Sequence, residues 1–170
     1  MDRRKTIRLV FYAAEACCCY LLQTLPLLPF ERGGLLTAAA LTVGVFENER
    51  TAVLTGALFG ALADCACGCT GFFGIAISAA CFIVSYLYRD RIRTSVITVL
   101  AVAGTAAVVI YAAHYMIFRI IAGFPEPEVC LEREYLPLLG GTAVFIPVFF
   151  LLNGGLHHRL SGKNKGAGSF

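Results

Sequence analysis

Two carboxylates, Glu15 and Asp64, sit inside apolar runs, and they are the side chains whose chemistry most needs explaining. A carboxylate at bilayer depth costs a few kcal/mol, so it faces protein or water rather than lipid. Asp64 closes a four-residue step, Ala52, Gly56, Gly60, Asp64. If the segment is helical, that spacing places the glycines and the carboxylate along one stripe. A second glycine cluster, Gly68, Gly71 and Gly74, follows at once. Two readings of Asp64 stand open. It is a polar anchor for a partner helix, or a proton, ion or substrate contact; or it caps a helix end where the chain turns, satisfying backbone N–H groups. Glu15 lies about two helical turns inside the first apolar run, and no partner for it can be named from sequence.

Other reactive residues offer less. Cys65, Cys67 and Cys69 alternate, and thiolates suit soft metals. On a helix, though, that spacing fans the sulfurs over different faces, and no histidine accompanies them. Cys17, Cys18 and Cys19 likewise point three ways. Both sets read as small packing residues. Cys130 stands alone in a polar loop, so no disulfide framework is implied. His114 and Arg119 lie near the end of the fifth apolar run; they either meet the glutamates of the loop that follows or, for Arg119, snorkel to the interface. No serine–histidine pairing, HExxH or Walker motif occurs. The expectation is no catalytic, cofactor-binding or metal-ligating residue, and no enzyme. Gly56-Ala57-Leu58-Phe59-Gly60 is a GxxxG match, which lets helix backbones approach closely; packing within the chain is the first reading and an interface with another protein the second.

The elements that must position these residues are membrane helices. Of 170 residues, 58% are hydrophobic and 15% charged, against about 25% charged in soluble domains. The charges cluster between apolar runs of membrane-span length. The net charge of +3 gives no reason to expect nucleic acid, since the basic residues gather at membrane edges. The runs are Leu9–Phe30, Gly34–Phe46, Thr51–Cys69, Phe72–Tyr88, Ser95–Ile121 and Tyr135–Leu156. Pro26 and Pro29 end the first, which reads as an uncleaved signal anchor. The second, at 13 residues, reaches about 20 Å, short of the roughly 30 Å hydrocarbon core, and reads as short, broken or re-entrant. Gly68 to Gly71 offers a break after Asp64. The fold class expected is an all-α integral membrane protein, a six-span helix bundle with five spans as the alternative. Its parts are an N-terminal segment (1–8), a transmembrane helical domain (9–156) and a disordered tail (157–170). With six spans, eleven of the fourteen basic residues fall on one side. The positive-inside rule then puts both termini in the cytoplasm and the acidic loop near 123–134 outside.

The stretch Gly56-Ala-Leu-Phe-Gly60-Ala-Leu-Ala-Asp64, then Gly68 and Gly71-Phe-Phe-Gly74, resembles the MreD family of bacterial rod shape-determining membrane proteins. The proline-ended first run, LLQTLPLLPF, looks like the family's opening, and length and span number agree along nearly the whole chain. The resemblance implies a non-enzymatic component of the cell-elongation complex in the bacterial plasma membrane. It would support rod shape and lateral peptidoglycan synthesis with an MreC-like protein, MreB, a RodA-type glycosyltransferase and a penicillin-binding transpeptidase. Gly56, Gly60, Asp64, Gly68, Gly71 and Gly74 are the candidate structural or partner-contact residues, and membrane lipid surrounds the bundle. The family's fold is similar to the substrate-binding subunits of energy-coupling-factor transporters. That likeness supplies the rival reading, a small-molecule (vitamin-type) transporter subunit.

Overall fold

The computed structural model describes residues 3–24, 34–68, 71–90, 94–123 and 126–161. It is helical throughout, with no strand among the described residues. Six long or medium helices run in chain order: α1 (Arg3–Thr24), α2 (Gly34–Phe46), α3 (Glu49–Cys67), α4 (Phe72–Asp90) and α5 (Val96–Tyr115), with α7 (Leu136–Ser161) after the one-turn α6 (Pro127–Cys130). A π-helical turn, Met116–Ile121, extends α5, and another, Leu131–Tyr135, joins α6 to α7.

The short second run is the centre of the bundle. α2 is a continuous helix whose residues from Gly34 to Gly44 are all buried. It packs against α1, α3, α4, α5 and α7. A helix with no polar face is stable only when surrounded, and α2 is apolar on every side. Its small residues let neighbours close in. A methyl group at Gly34 would lie 3.1 Å from Thr142 Oγ1, and one at Gly44 would lie 3.2 Å from the Cys81 carbonyl oxygen. Sheathed by protein, a helix of about 20 Å has no need to match the full bilayer thickness.

The outer helices carry the lipid-compatible surface. Among the described residues four are long and apolar enough to cross a membrane: Glu49–Cys67, Phe72–Arg89, Val96–Ile121 and Pro127–His158. Leu54, Ile75, Ile97, Val109, Val144 and Leu151 project outward from them. Large apolar side chains exposed on every outer helix fit a multi-pass membrane protein.

The break after Asp64 falls where the glycines suggest. α3 ends at Cys67, and Gly68 takes a left-handed conformation (φ 69°) with its N–H bonded to the Asp64 carbonyl. The acidic segment differs from expectation. Instead of a loop to residue 134, the chain is helical from Pro127 onward. Proline suits the first helical position, and Glu128 in the first turn complements the positive end of the peptide dipoles. α7 also continues through Ser161, five residues into the segment read as tail. Pro26, Pro29, the loop at 31–33, Cys69, the cluster at Arg91 and Arg93, and residues 162–170 lie outside the described residues.

Candidate functional site

The six candidate residues converge on one hairpin, α3–α4. Gly60 makes the closest approach: a methyl there would lie 2.5 Å from the Phe73 carbonyl oxygen and 2.6 Å from Gly74 Cα. At Gly56 it would lie 3.0 Å from Ser78 Cα. The two glycines therefore admit the α4 backbone itself. One turn further, Asp64 accepts the Phe73 N–H at Oδ1 (2.9 Å) and the Gly74 N–H at Oδ2 (2.8 Å). Those N–H groups belong to the first turn of α4, which has no helical acceptors for them. Asp64 thus caps the next helix, and its charge sits at that helix's positive end. Gly74 packs on the carboxylate, 3.3 Å from Oδ2 to its would-be methyl. Gly68 and Gly71 act differently: their φ values of 69° and 82° make the reversal between the helices, and a methyl added at either would meet nothing within 4 Å. Both oxygens of Asp64 are engaged by backbone within the chain.

Aromatic rings continue the hairpin toward α5 and α7. The Phe73 ring stacks on His114, with centroids 4.9 Å apart. His114 Nδ1 lies 2.7 Å from the Tyr135 hydroxyl, and Arg119 Nη2 donates to Glu134 at 2.6 Å. Arg119 therefore meets a glutamate of the acidic segment, and His114 meets a tyrosine. Tyr111 and Thr142 share a buried hydrogen bond of 3.1 Å, joining α5 to α7 beside α2.

The opposite end of the bundle holds a second polar knot. Buried Glu47 follows α2, accepts Tyr12 Oη at 3.0 Å, and pairs with Arg8 at 2.8 Å. Its carbonyl accepts the Ser85 hydroxyl at 2.6 Å. Arg89 and Glu49 form a more exposed pair at 3.2 Å. Between the two ends, Asn153 of α7 bonds both Glu15 of α1 and Thr42 of α2. Sequence reasoning left Glu15 without a partner and passed over Asn153. The available signal was polarity inside apolar runs, but 138 positions separate Glu15 from Asn153.

The cysteines are dispersed. Cys17, Cys18 and Cys65 are exposed, while Cys19 and Cys81 are buried, and Cys81 donates to the Ala40 carbonyl at 3.3 Å. Among the described residues no group of three histidine, cysteine or acidic side chains could hold a metal ion. The chain matches no protein-family model, and no curated protein or solved structure matches it significantly.

Proposed function

We propose that this chain is an MreD-like, non-enzymatic membrane scaffold of the bacterial cell-elongation complex. One observation supports the reading above others: Gly56, Gly60, Asp64, Gly68, Gly71 and Gly74, the residues that carry the resemblance, build a single device. The stripe seats α4 on α3, the carboxylate caps α4, and the paired left-handed glycines close the turn. Three of the carboxylates are engaged structurally. Asp64 is bound to backbone, Glu47 to Arg8 and Tyr12, and Glu134 to Arg119.

In this reading the six main helices are six passes, arranged as in energy-coupling-factor substrate-binding subunits. Both termini and the Arg8–Glu47 end face the cytoplasm, and the Asp64–His114 end faces outward. The lipid-facing helices and the outer acidic segment offer the surfaces for an MreC-like protein and, through it, for MreB, a RodA-type glycosyltransferase and a penicillin-binding transpeptidase. Co-purification in mild detergent tests this. Recovery of the MreC-like protein with the tagged chain is expected, and its absence would contradict the scaffold. The rival reading, a vitamin-type transporter subunit, requires a small ligand that raises thermal stability, because a ligand bound only by the folded state must stabilise it.

A further inference from the structure

Glu15, Thr42 and Asn153 meet in the interior between α1, α2 and α7. Asn153 is 0% exposed and Glu15 only 8%. Asn153 Nδ2 donates to Glu15 Oε1 at 3.3 Å and to Thr42 Oγ1 at 3.2 Å. The Thr42 hydroxyl gives its own hydrogen to the Ala39 carbonyl at 2.8 Å. Two buried polar atoms are left over, Glu15 Oε2 and Asn153 Oδ1. Both are acceptors when Glu15 is ionised, so what the cluster lacks is a hydrogen.

A neutral carboxylic acid and a primary amide are two-point partners: the amide N–H bonds the acid carbonyl, and the acid O–H bonds the amide carbonyl. The first of these bonds is present, and the two leftover atoms are the ones the second would join. A carboxylate cannot complete the pair, because its oxygen would face the amide oxygen acceptor to acceptor.

Charge points the same way. α2 has no titratable residue, α3 has none between Arg50 and Asp64, and α7 has none from Leu136 to Leu156. At the start of α3, Glu49 pairs with Arg89 and Arg50 is exposed. On α1 itself, Tyr12 donates to Glu47 and Cys19 is a buried thiol. Arg8, about two turns away, is held by Glu47 at 2.8 Å. Among the described residues nothing facing Glu15 offsets a buried negative charge, and such a charge neutralises rather than remain unpaired. The amide nitrogen aimed at Glu15 and Thr42 also disfavours a metal cation between them.

We propose that Glu15 carries a proton in the folded protein at neutral pH, donates it to Asn153 Oδ1, and so forms a proton-bearing site tying α1 to α2 and α7. The proposal is independent of the scaffold reading. Infrared spectroscopy of the purified protein in lipid nanodiscs tests it. Expected is a carboxylic-acid carbonyl band that persists at neutral pH, shifts on deuterium exchange and disappears in Glu15→Gln. The amide in Glu15→Gln reproduces the neutral acid's two bonds, so that variant should unfold near the wild-type temperature, whereas Glu15→Leu should unfold below it. As pH rises from the ordinary carboxyl range toward neutrality, wild-type stability should fall relative to that of Glu15→Gln, because the unfolded wild-type chain releases a proton that the folded chain keeps, whereas Glu47 and Asp64 contribute equally in both. Absence of the band from the wild type, its survival in Glu15→Gln, or failure of Glu15→Gln to fold would each overturn the proposal, leaving an ionised Glu15 served by water or a cation.

Discussion

Gly60 and Phe73 lie closer than any side chain would permit. A methyl at Gly60 would stand 2.5 Å from the Phe73 carbonyl oxygen, and that obstacle is backbone, which cannot rotate away. Gly60→Ala should therefore separate α3 from α4 and destabilise the protein by about 1–3 kcal/mol, the usual range for overpacking. Gly104→Ala is the matched control. It lies within α5 with nothing inside 4 Å, so alanine there should be neutral or stabilise by about 0.5–1 kcal/mol through helix propensity. Thermal unfolding of both variants in one detergent checks the contrast.

Asp64 gives the second expectation. Asp64→Leu leaves the Phe73 and Gly74 N–H groups without their acceptor, at about 1–3 kcal/mol for each one left unsatisfied. Asp64→Asn keeps one acceptor oxygen and should fall between Leu and wild type. Glu128→Gln, exposed in α6, should change little. Amide hydrogen exchange at Phe73 and Gly74 reads the effect directly. Exchange that stays slow in Asp64→Leu would mean that the cap is dispensable.

The helix inventory was legible in the sequence because hydrophobic runs and their breaks are local properties. The end of α3 at Gly68 was legible for the same reason: a residue with no Cβ follows a periodic run. The central place of α2 was latent in its lack of any polar residue beyond threonine, although run length alone left a short, broken or re-entrant segment open. What escaped was pairing at a distance. Tyr12 with Glu47, Tyr111 with Thr142 and Glu15 with Asn153 depend on helix order and rotation, which no window of sequence encodes. The helix at Pro127 was hidden by its own signals, since proline and glutamate open helices as readily as they fill loops. At the hairpin the residues were legible; that Asp64 caps the following helix rather than its own was not.

The two ion pairs at the Arg8 end should differ in weight. Glu47 is buried and bound by both Arg8 and Tyr12, so Glu47→Ala should cost about 1.5–3 kcal/mol, the range for hydrogen bonds to charged groups. Glu49 meets Arg89 at the surface, where Arg89 keeps 59% of its side-chain exposure, so Glu49→Ala should cost less than about 1 kcal/mol. Unfolding at low and high salt separates them further, because screening weakens the exposed pair more.

The most direct test of the proposed scaffold role is depletion of this protein in its native host with cell shape as the readout. Rod-shaped cells are expected to round up and lose lateral wall synthesis, with rescue by the wild-type chain and poorer rescue by Gly60→Ala or Asp64→Leu at equal expression. Cells that keep their shape and their lateral wall synthesis after complete depletion would contradict it.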